Sequence, residues 1–548
     1  MTPRTLINLT DNMSRDLPAF LPELVLCGAI VLMLLFRLFA RFDQKHMGWV
    51  ALVLTVYALI VSIVQWQGGI YDPRPVDVKS LELFSGMLVY DNLTIFLRMF
   101  LLAFAVLLIW LCLMTGIPDR EDSADFFCLV LGATLGMSIM ASANHLLMIF
   151  MGVEMASLPS YALAGFLKGR RQSSEAALKY VVYGGGAAGI MLYGISLLAG
   201  RFGTGYLPDV AAFMAANPLD PLVLLGTLFV LIGVGFKLAA VPFHFWCPDV
   251  FEGASAEVAA FLSVASKGAA LAMLARIVLG LGGLAEPQFD PQVWERVAPY
   301  LVPVLAVFAA VTVTFGNLAA YTQTNLKRLL AYSTIAHAGF MMLGLATMTR
   351  DGVSAVLVYL IVYLFMNLGA FAVVAFLRNV TGSEDMRDFR GLIHRAPVLV
   401  VTLAVFLLSL LGLPPLAGFA AKFQIFSALF DAGRNYGSPG VGQPGLSGVM
   451  YALLVIGGLN TVLSLFYYLK PLKIMILDKP LEEVEDRPCE PLPIPWLPNL
   501  YAGFLAFVIL AVGIFWGPLA NAGGEAVNRF HAASAETGGV PVARGGQP

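Results

Sequence analysis

Fourteen runs of about twenty residues with almost no charge dominate this sequence, and that length is what an α-helix needs to cross the hydrocarbon core of a bilayer. The runs begin near Leu17, Met47, Leu93, Phe126, His145, Ala176, Leu222, Ala256, Tyr300, Leu326, Val353, Val398, Val449 and Pro498. Inside lipid a backbone must satisfy its own hydrogen bonds, so a chain built of such runs is expected to be an all-α polytopic membrane protein. Only 12% of the 548 residues are charged, where a soluble chain carries roughly 25%. A formal net charge of -2 leaves no basic surface for a phosphate backbone, which excludes nucleic acid as a partner and leaves the lipid bilayer as the obligatory one. Cys27, Cys112, Cys128, Cys247 and Cys489 show no metal or haem spacing, and the six histidines form no HxxxH or HExxH pair, so no metal and no redox centre is expected in this chain. The first run ends on Arg37 and Arg41 rather than on a small-residue cleavage site, and reads as a transmembrane helix rather than a signal peptide.

Assigning alternate loops to opposite sides places 17 Lys and Arg on one face and ten on the other. By the positive-inside rule the richer face is cytoplasmic, which puts both termini outside the cytoplasm. Clusters of Pro, Gly and Asp at Gly68 to Pro75, Phe202 to Pro221, Gly282 to Pro291 and Gly433 to Gly445 read as non-helical outer insertions. Leu481 to Pro498 reads as an acidic, proline-rich cytoplasmic connector. Residues 1–520 form one transmembrane domain, and 521–548 are expected to be a weakly ordered tail or to drape on a neighbour. SSEAALKYVVYGGGAAGIMLYGISLL and GVSAVLVYLIVYLFMNLGAFAVVAFL align at a separation of 179 residues, sharing Leu178 and Tyr180 with Leu357 and Tyr359, and placing Gly165 over Gly344. Five helices separate these copies, and the odd number makes them an inverted repeat of the transporter kind, with chance similarity of apolar segments as the alternative. Gly184, Gly186 and Gly189 match GxGxxG literally, but no strand precedes them, so they read as close helix contact rather than a dinucleotide site.

Six basic residues, Arg98, Lys179, Lys237, Lys267, Arg276 and Lys422, lie inside apolar runs, together with Glu154. Each costs about 2.5 to 3.5 kcal/mol at a helix centre, so the chain needs a physical reason to keep them, and proton or ion conduction is the usual one. Desolvation penalises the charged form of any ionisable group and brings acids and amines into proton exchange near neutral pH. The alternative is a set of snorkelling or permanently paired charges, the favoured reading for Arg98 and Arg276, within about two turns of helix ends. Lys237 precedes Pro242 and Lys422 follows Pro414 and Pro415, and a charge beside a helix break is the pattern of an ion site at the midplane of a transporter. His244, seven residues after Lys237 and on its face if the helix survives Pro242, and His337 are proton relays or packed core histidines. Ser333, Thr334, Asn317, Asn367 and Asn460 hold a water wire or pack helices.

FKLAAVPFHFWCPDVFEGAS, SKGAALAMLARI, QTNLKRLLAYSTIAHAGFMMLGL and LLSLLGLPPLAGFAAKF are more specific than any of these short patterns. Through them the chain, from about Leu21 to Pro518, resembles the N subunits of the proton-translocating NADH-quinone oxidoreductases, respiratory complex I. The resemblance implies an antiporter-like fold with two inverted five-helix repeats, at about 125–281 and 298–477, and broken helices. It implies no cofactor in this chain, with FMN, iron–sulfur clusters, NADH and quinone in partner subunits. The partners implied are the other membrane-arm subunits, in a bacterial inner membrane. By the same resemblance Glu154 and Lys237 are the Glu–Lys pair, Lys267 is the central lysine and Lys422 the distal one. Lys179 matches a further family lysine, and His244 and His337 match histidines thought to connect the axis. Phe251 and Ser255, where the family usually reads YEGAP, are departures expected to affect peripheral contacts. A cation/proton antiporter of the same superfamily and a static scaffold are the rival functions.

Overall fold

Every one of the fourteen apolar runs becomes helix in the computed structural model, which describes residues 13–38, 47–69, 72–74, 80–119, 121–217, 219–281, 291–439, 443–480 and 490–528. The first three long helices are α1 (Leu21–Arg37), α2 (Gly48–Trp66) and α3 (Asn92–Thr115). Next come α4 (Ser123–Ser142), α5 (Leu146–Ala164) and α6 (Arg171–Phe202), then a short α7 (Leu207–Ala216). A broken span follows, made of α8 (Pro221–Leu238) and α9 (Trp246–Gly253). The next span is α10 (Ala256–Phe261), a π-turn at Leu262–Ser266 and α11 (Lys267–Leu281). After it lie α12 (Pro291–Ala320), α13 (Leu326–Ala346), α14 (Arg350–Thr381) and a second broken span, α15 (Pro397–Leu411) with α16 (Ala417–Tyr436). The chain closes with α17 (Pro444–Ile476), α18 (Trp496–Ile514) and α19 (Gly517–Asn528).

Twelve of the described helices are long and apolar enough to cross a membrane, and a thirteenth span results if Met13–Ala19 and α1, bent by 78°, are taken together. The fifteen-residue α15 falls short by length, because Gly412 takes φ 91° and turns the chain out of the helix before α16 resumes it. The two broken spans hold equivalent places: each is the fourth of five consecutive spans, α4 to α11 and α12 to α17. Close crossings recur in the same way. A Cβ on Gly136 of α4 would stand 2.5 Å from the backbone N of Ala156 on α5. One on Gly316 of α12 would stand 2.6 Å from that of Ala336 on α13, both partners lying 180 residues further on.

The interior is made by α10, α11, α13 and α14, whose residues are buried nearly throughout, whereas α2, α6, α17 and α18 turn much of their surface outward. Exposed Val53, Leu178, Val182, Val455, Val462 and Phe507 on those outer helices form the apolar girdle that a bilayer wets. At one end of the bundle a hairpin of β1 (Leu81–Leu83) and β2 (Leu88–Tyr90) pairs Leu81 with Tyr90 and Leu83 with Leu88. The Met87 carbonyl accepts the Asn144 amide at 3.0 Å, and the Asn144 carbonyl accepts that of Leu207 at 3.0 Å, so the hairpin clasps the start of α5 and of α7.

Three organisational expectations change. Phe202 to Pro221, expected to be non-helical, contains α7, because Leu207, Val210, Ala211 and Ala215 present an apolar face that packs inward. Gly433 to Tyr436 belong to α16, while 440–442, residues 70, 71 and 75 of the first insertion and residues 282–290 lie outside the described residues. The first eight residues of the tail are helical in α19, with Ala526 and Val527 buried and Gly523 lying against Ser354 and Val358 of α14. Residues 529–548, and 481–489 of the proline-rich connector, lie outside the described residues.

Candidate functional site: a row of buried cations

Each of three buried lysines occupies an irregularity in its helix. Lys237 is the penultimate residue of α8, which stops at Leu238 because Ala239 takes a left-handed φ of 53° and Pro242 has no N–H to continue the ladder. Trp246 satisfies the freed Phe236 carbonyl through its indole N–H at 3.1 Å. Lys267 is the first residue after the π-turn and begins α11. Lys422 lies in the second turn of α16 and donates to the Leu411 carbonyl at 2.9 Å, the open C-terminal end of α15. A cation there meets the negative end of the half-helix dipole, which offsets part of its desolvation.

None of the three has an acid partner within ion-pairing distance among the described residues. The ammonium of Lys237 has no hydrogen-bond partner among the described residues. That of Lys267 meets the Cys247 thiol at 3.7 Å and stands 5.9 Å from the Phe251 ring centre. The Lys422 ammonium sits 4.5 Å over the Phe340 ring, within cation–π range. Phe251 is therefore not peripheral, contrary to expectation, since it lies beneath the central lysine. Ser255 caps α10 by accepting the Val258 amide at 3.3 Å, which positions the helix leading to Lys267.

Glu154 and Lys237 do not form a salt bridge, although their charges act on one another. Glu154 is half-buried on α5, on the same face as exposed Leu147, Met151 and Leu158, and its Oε1 has no partner. The acid is thus half-buried on an outward-facing stripe of α5, with a buried oxygen left unpartnered. His244 is buried against Phe245 and Phe315, ring centres 4.4 and 4.5 Å away, and its Nδ1 has no partner. It does not share a helical face with Lys237, because the helix does not survive Pro242. Lys179 stands apart from the row. Its ammonium pairs with Glu175 at 2.8 Å and Asp249 at 2.7 Å in a polar surface cleft of about 270 Å³ that also holds Glu252 and Arg328. That makes Lys179 a paired surface cation rather than an isolated intramembrane charge.

The charges of the central and distal lysines both act on His337. Its Nδ1 is 2.7 Å from the Tyr359 hydroxyl and its Nε2 is 2.9 Å from that of Tyr468, which is in turn 2.5 Å from Ser333 Oγ.

The relatives of this chain carry the same architecture. A family described as NADH:quinone oxidoreductase/Mrp antiporter, TM matches residues 143–438. NADH-quinone oxidoreductase subunit N of Anaeromyxobacter sp. (strain Fw109-5) is 40% identical over 524 residues, covering 93% of this chain and 96% of that protein. The chain belongs to the subunit N family of NADH-quinone oxidoreductases. A chain of respiratory complex I from Thermus thermophilus, solved with bound aureothin, superposes with a TM-score of 0.68 at 29% identity, over 91% of this chain and 98% of that one. The fold reaches further. A chain of the Mrp complex from Dietzia sp. DQ12-45-1b superposes with a TM-score of 0.76 at 19% identity, over 93% of this chain and 97% of that one.

Glu23, Asp91 and Glu257 of this family member escaped the sequence reading. Arg98 donates to Glu23 at 2.7 Å and to Gln65 at 2.9 Å, and Arg276 holds Asp91 through two bonds of 2.9 and 3.1 Å. Both arginines are fixed pairs tying α3 to α1, α2 and α11, in agreement with the structural reading favoured for them. Glu257, fully buried in the first turn of α10, reaches Arg378 at 3.3 Å and leaves Oε2 unpartnered. Lys327 and Arg378, two of the 17 Lys and Arg counted above as loop residues of the richer face, are buried; Lys327 pairs with Glu384 at 2.8 Å and donates to the Ala254 carbonyl at 2.6 Å. A charge at the end of an apolar run reads as a loop residue, and its partner in a remote element leaves no trace in a single sequence.

Proposed function

We propose that this chain is a proton-translocating subunit of the membrane arm of an NADH-quinone oxidoreductase, a translocase in which partner subunits hold FMN, iron–sulfur clusters and the NADH and quinone sites. The observation that carries the reading is the row of buried lysines without an acid partner among the described residues, Lys237, Lys267 and Lys422, each at or beside a helix irregularity, with His337 under the influence of the last two. A desolvated ammonium without a counter-ion holds its proton only as far as the surrounding field allows, so a change in a neighbouring charge moves the proton. Glu154 is placed to be that neighbour. When its carboxylate faces Lys237 it stabilises the ammonium, and when a partner group draws its charge away the proton passes toward Lys267, with His244 alongside. From Lys267 it proceeds through His337 to Lys422. The outward stripe on which Glu154 sits supports a covering membrane-arm subunit there, since lipid alone leaves a carboxylate uncompensated. The Lys and Arg distribution supports an orientation with both termini outside the cytoplasm, and the bacterial relatives support a bacterial inner membrane.

Mild-detergent purification through a tag on this chain, with assays for flavin, iron–sulfur absorbance and quinone-dependent NADH oxidation, tests the assignment. Co-purifying activity that loses proton pumping in a Lys237→Met variant is the expected result. A chain that emerges without redox partners and exchanges sodium for protons in vesicles overturns it in favour of an antiporter.

A further inference from the structure

We propose that Tyr359, Tyr468 and Ser333 form, with His337, a hydroxyl–imidazole chain through which the proton travels between Lys267 and Lys422; this rests on the translocation reading above. Three helices build the chain: α13 supplies Ser333 and His337, α14 supplies Tyr359 and α17 supplies Tyr468. All four side chains are buried. Both ring nitrogens of His337 are engaged by tyrosine hydroxyls, at 2.7 and 2.9 Å. No ring nitrogen is left to meet a lysine directly, and Phe340 lies under the Lys422 ammonium at 4.5 Å. A proton entering or leaving the imidazole therefore passes through a tyrosine oxygen.

A neutral imidazole donates from one nitrogen and accepts at the other, so the chain has two matched arrangements. In the first, Tyr359 donates to Nδ1, Nε2–H donates to Tyr468, and Tyr468 donates to Ser333. A proton delivered to the Tyr359 oxygen sends that hydroxyl's hydrogen to Nδ1. Nε2 then passes its hydrogen to Tyr468, Tyr468 passes its own to Ser333, and Ser333 releases one. Each hydroxyl oxygen gains one O–H bond and loses one, the imidazole gains an N–H at Nδ1 as it loses that at Nε2, and no net charge remains on a buried group. The imidazole hydrogen has moved from Nε2 to Nδ1, so a second proton cannot follow in the same direction until the ring and hydroxyls reorient. Tyr359 and Tyr468 are thus positioning residues that set the tautomer of His337 as well as links in the chain.

The test uses the assembled complex in liposomes, with Tyr468→Phe, Tyr359→Phe and Lys422→Met variants. Pumping is measured against pH and in H2O against D2O. Each Phe variant keeps its ring and its assembly, and pumping falls roughly tenfold or more with an altered pH profile and isotope effect. The double variant is little worse than either single one, as expected for links of one chain. A packing role lowers the amount of complex but leaves the pH profile and isotope effect of what assembles unchanged, and that result overturns the proposal. If Tyr468→Phe fails to assemble, Ser333→Ala, which removes the terminal hydroxyl, decides on the same readouts. Parent-like Tyr variants beside an inactive Lys422→Met sink the chain and leave the translocation reading standing. A Lys422→Met that pumps at parental stoichiometry sinks both.

Discussion

Two kinds of buried charge coexist in this chain, and they respond to substitution in opposite ways. Arg276 is locked to Asp91 by two bonds and adds Thr94 Oγ1 and the Ala141 carbonyl, both at 2.8 Å. Arg276→Ala leaves Asp91 buried without its cation, and the expected cost is about 3–5 kcal/mol. A melting scan of the solubilised complex should show a large loss of stability or no assembly. Lys422→Met removes a cation that has no acid partner and keeps most of the volume, so the melting temperature should hold within a few degrees while pumping collapses. The reverse ordering would mean that Lys422 is structural. Sequence alone did not separate these classes fully. Arg98 and Arg276 were distinguished by depth, but Glu23 and Asp91 were not recognised as their partners, because they lie 75 and 185 residues away along the chain.

Helix starts and crossings show where local sequence suffices and where it fails. Asp91, Ser255, Asn325 and Thr349 each accept an amide two or three residues into the helix that follows, as caps of these residue types do. His145 does the same for α5, its Nδ1 accepting the Leu147 amide at 3.1 Å. Burial pushes the His145 pKa below its ordinary 6.5, because the charged ring is the form that loses hydration. With the folded value depressed, the unfolded chain binds the proton more readily. The cap therefore contributes above about pH 6.5 and is lost as pH falls through the lower folded value. Amide exchange at Leu147, corrected for intrinsic rate, should quicken between pH 7 and pH 5 on the order of the loss of a cap, and His145→Asn should abolish that dependence. At the α12–α13 crossing a Cβ on Gly339 would stand 2.5 Å from the Val313 backbone N, whereas one on Gly458 meets nothing within 4 Å. Gly339→Ala should lower stability by about 1–3 kcal/mol, and Gly458→Ala should leave it unchanged or slightly raised. Equal melting temperatures for the two would remove the crossing as a constraint. The start expected at Tyr300 lies nine residues inside α12, which begins at Pro291, because Arg296 and Pro299 read as loop. A membrane helix tolerates such prolines where neighbouring groups absorb the freed carbonyls.

At the scale of the whole molecule the proposed orientation is open to direct labelling. Thr204→Cys, on the face assigned outside, should react with a membrane-impermeant thiol reagent in intact spheroplasts, and Arg170→Cys only after permeabilisation. Labelling in the opposite order would invert the topology and the sense of the proton path.

The length of the apolar runs was enough to determine an all-α membrane fold, because only α-helices and closed β-barrels satisfy their backbone across lipid, and about twenty apolar residues in succession fit the helix and not the shorter barrel strand. The lysines at 237, 267 and 422 were also legible, since an ionisable residue inside an apolar run stands out without any partner. What the sequence left open was decided by packing. Glu154 makes no salt bridge with Lys237 and leaves a buried oxygen unpartnered, Lys179 leaves the row for a surface cleft, Phe251 moves under Lys267, and tyrosines from two other helices close on His337. Each of these depends on which faces of remote helices meet, and that is fixed only when α10, α11, α13, α14 and α17 are brought together around one core.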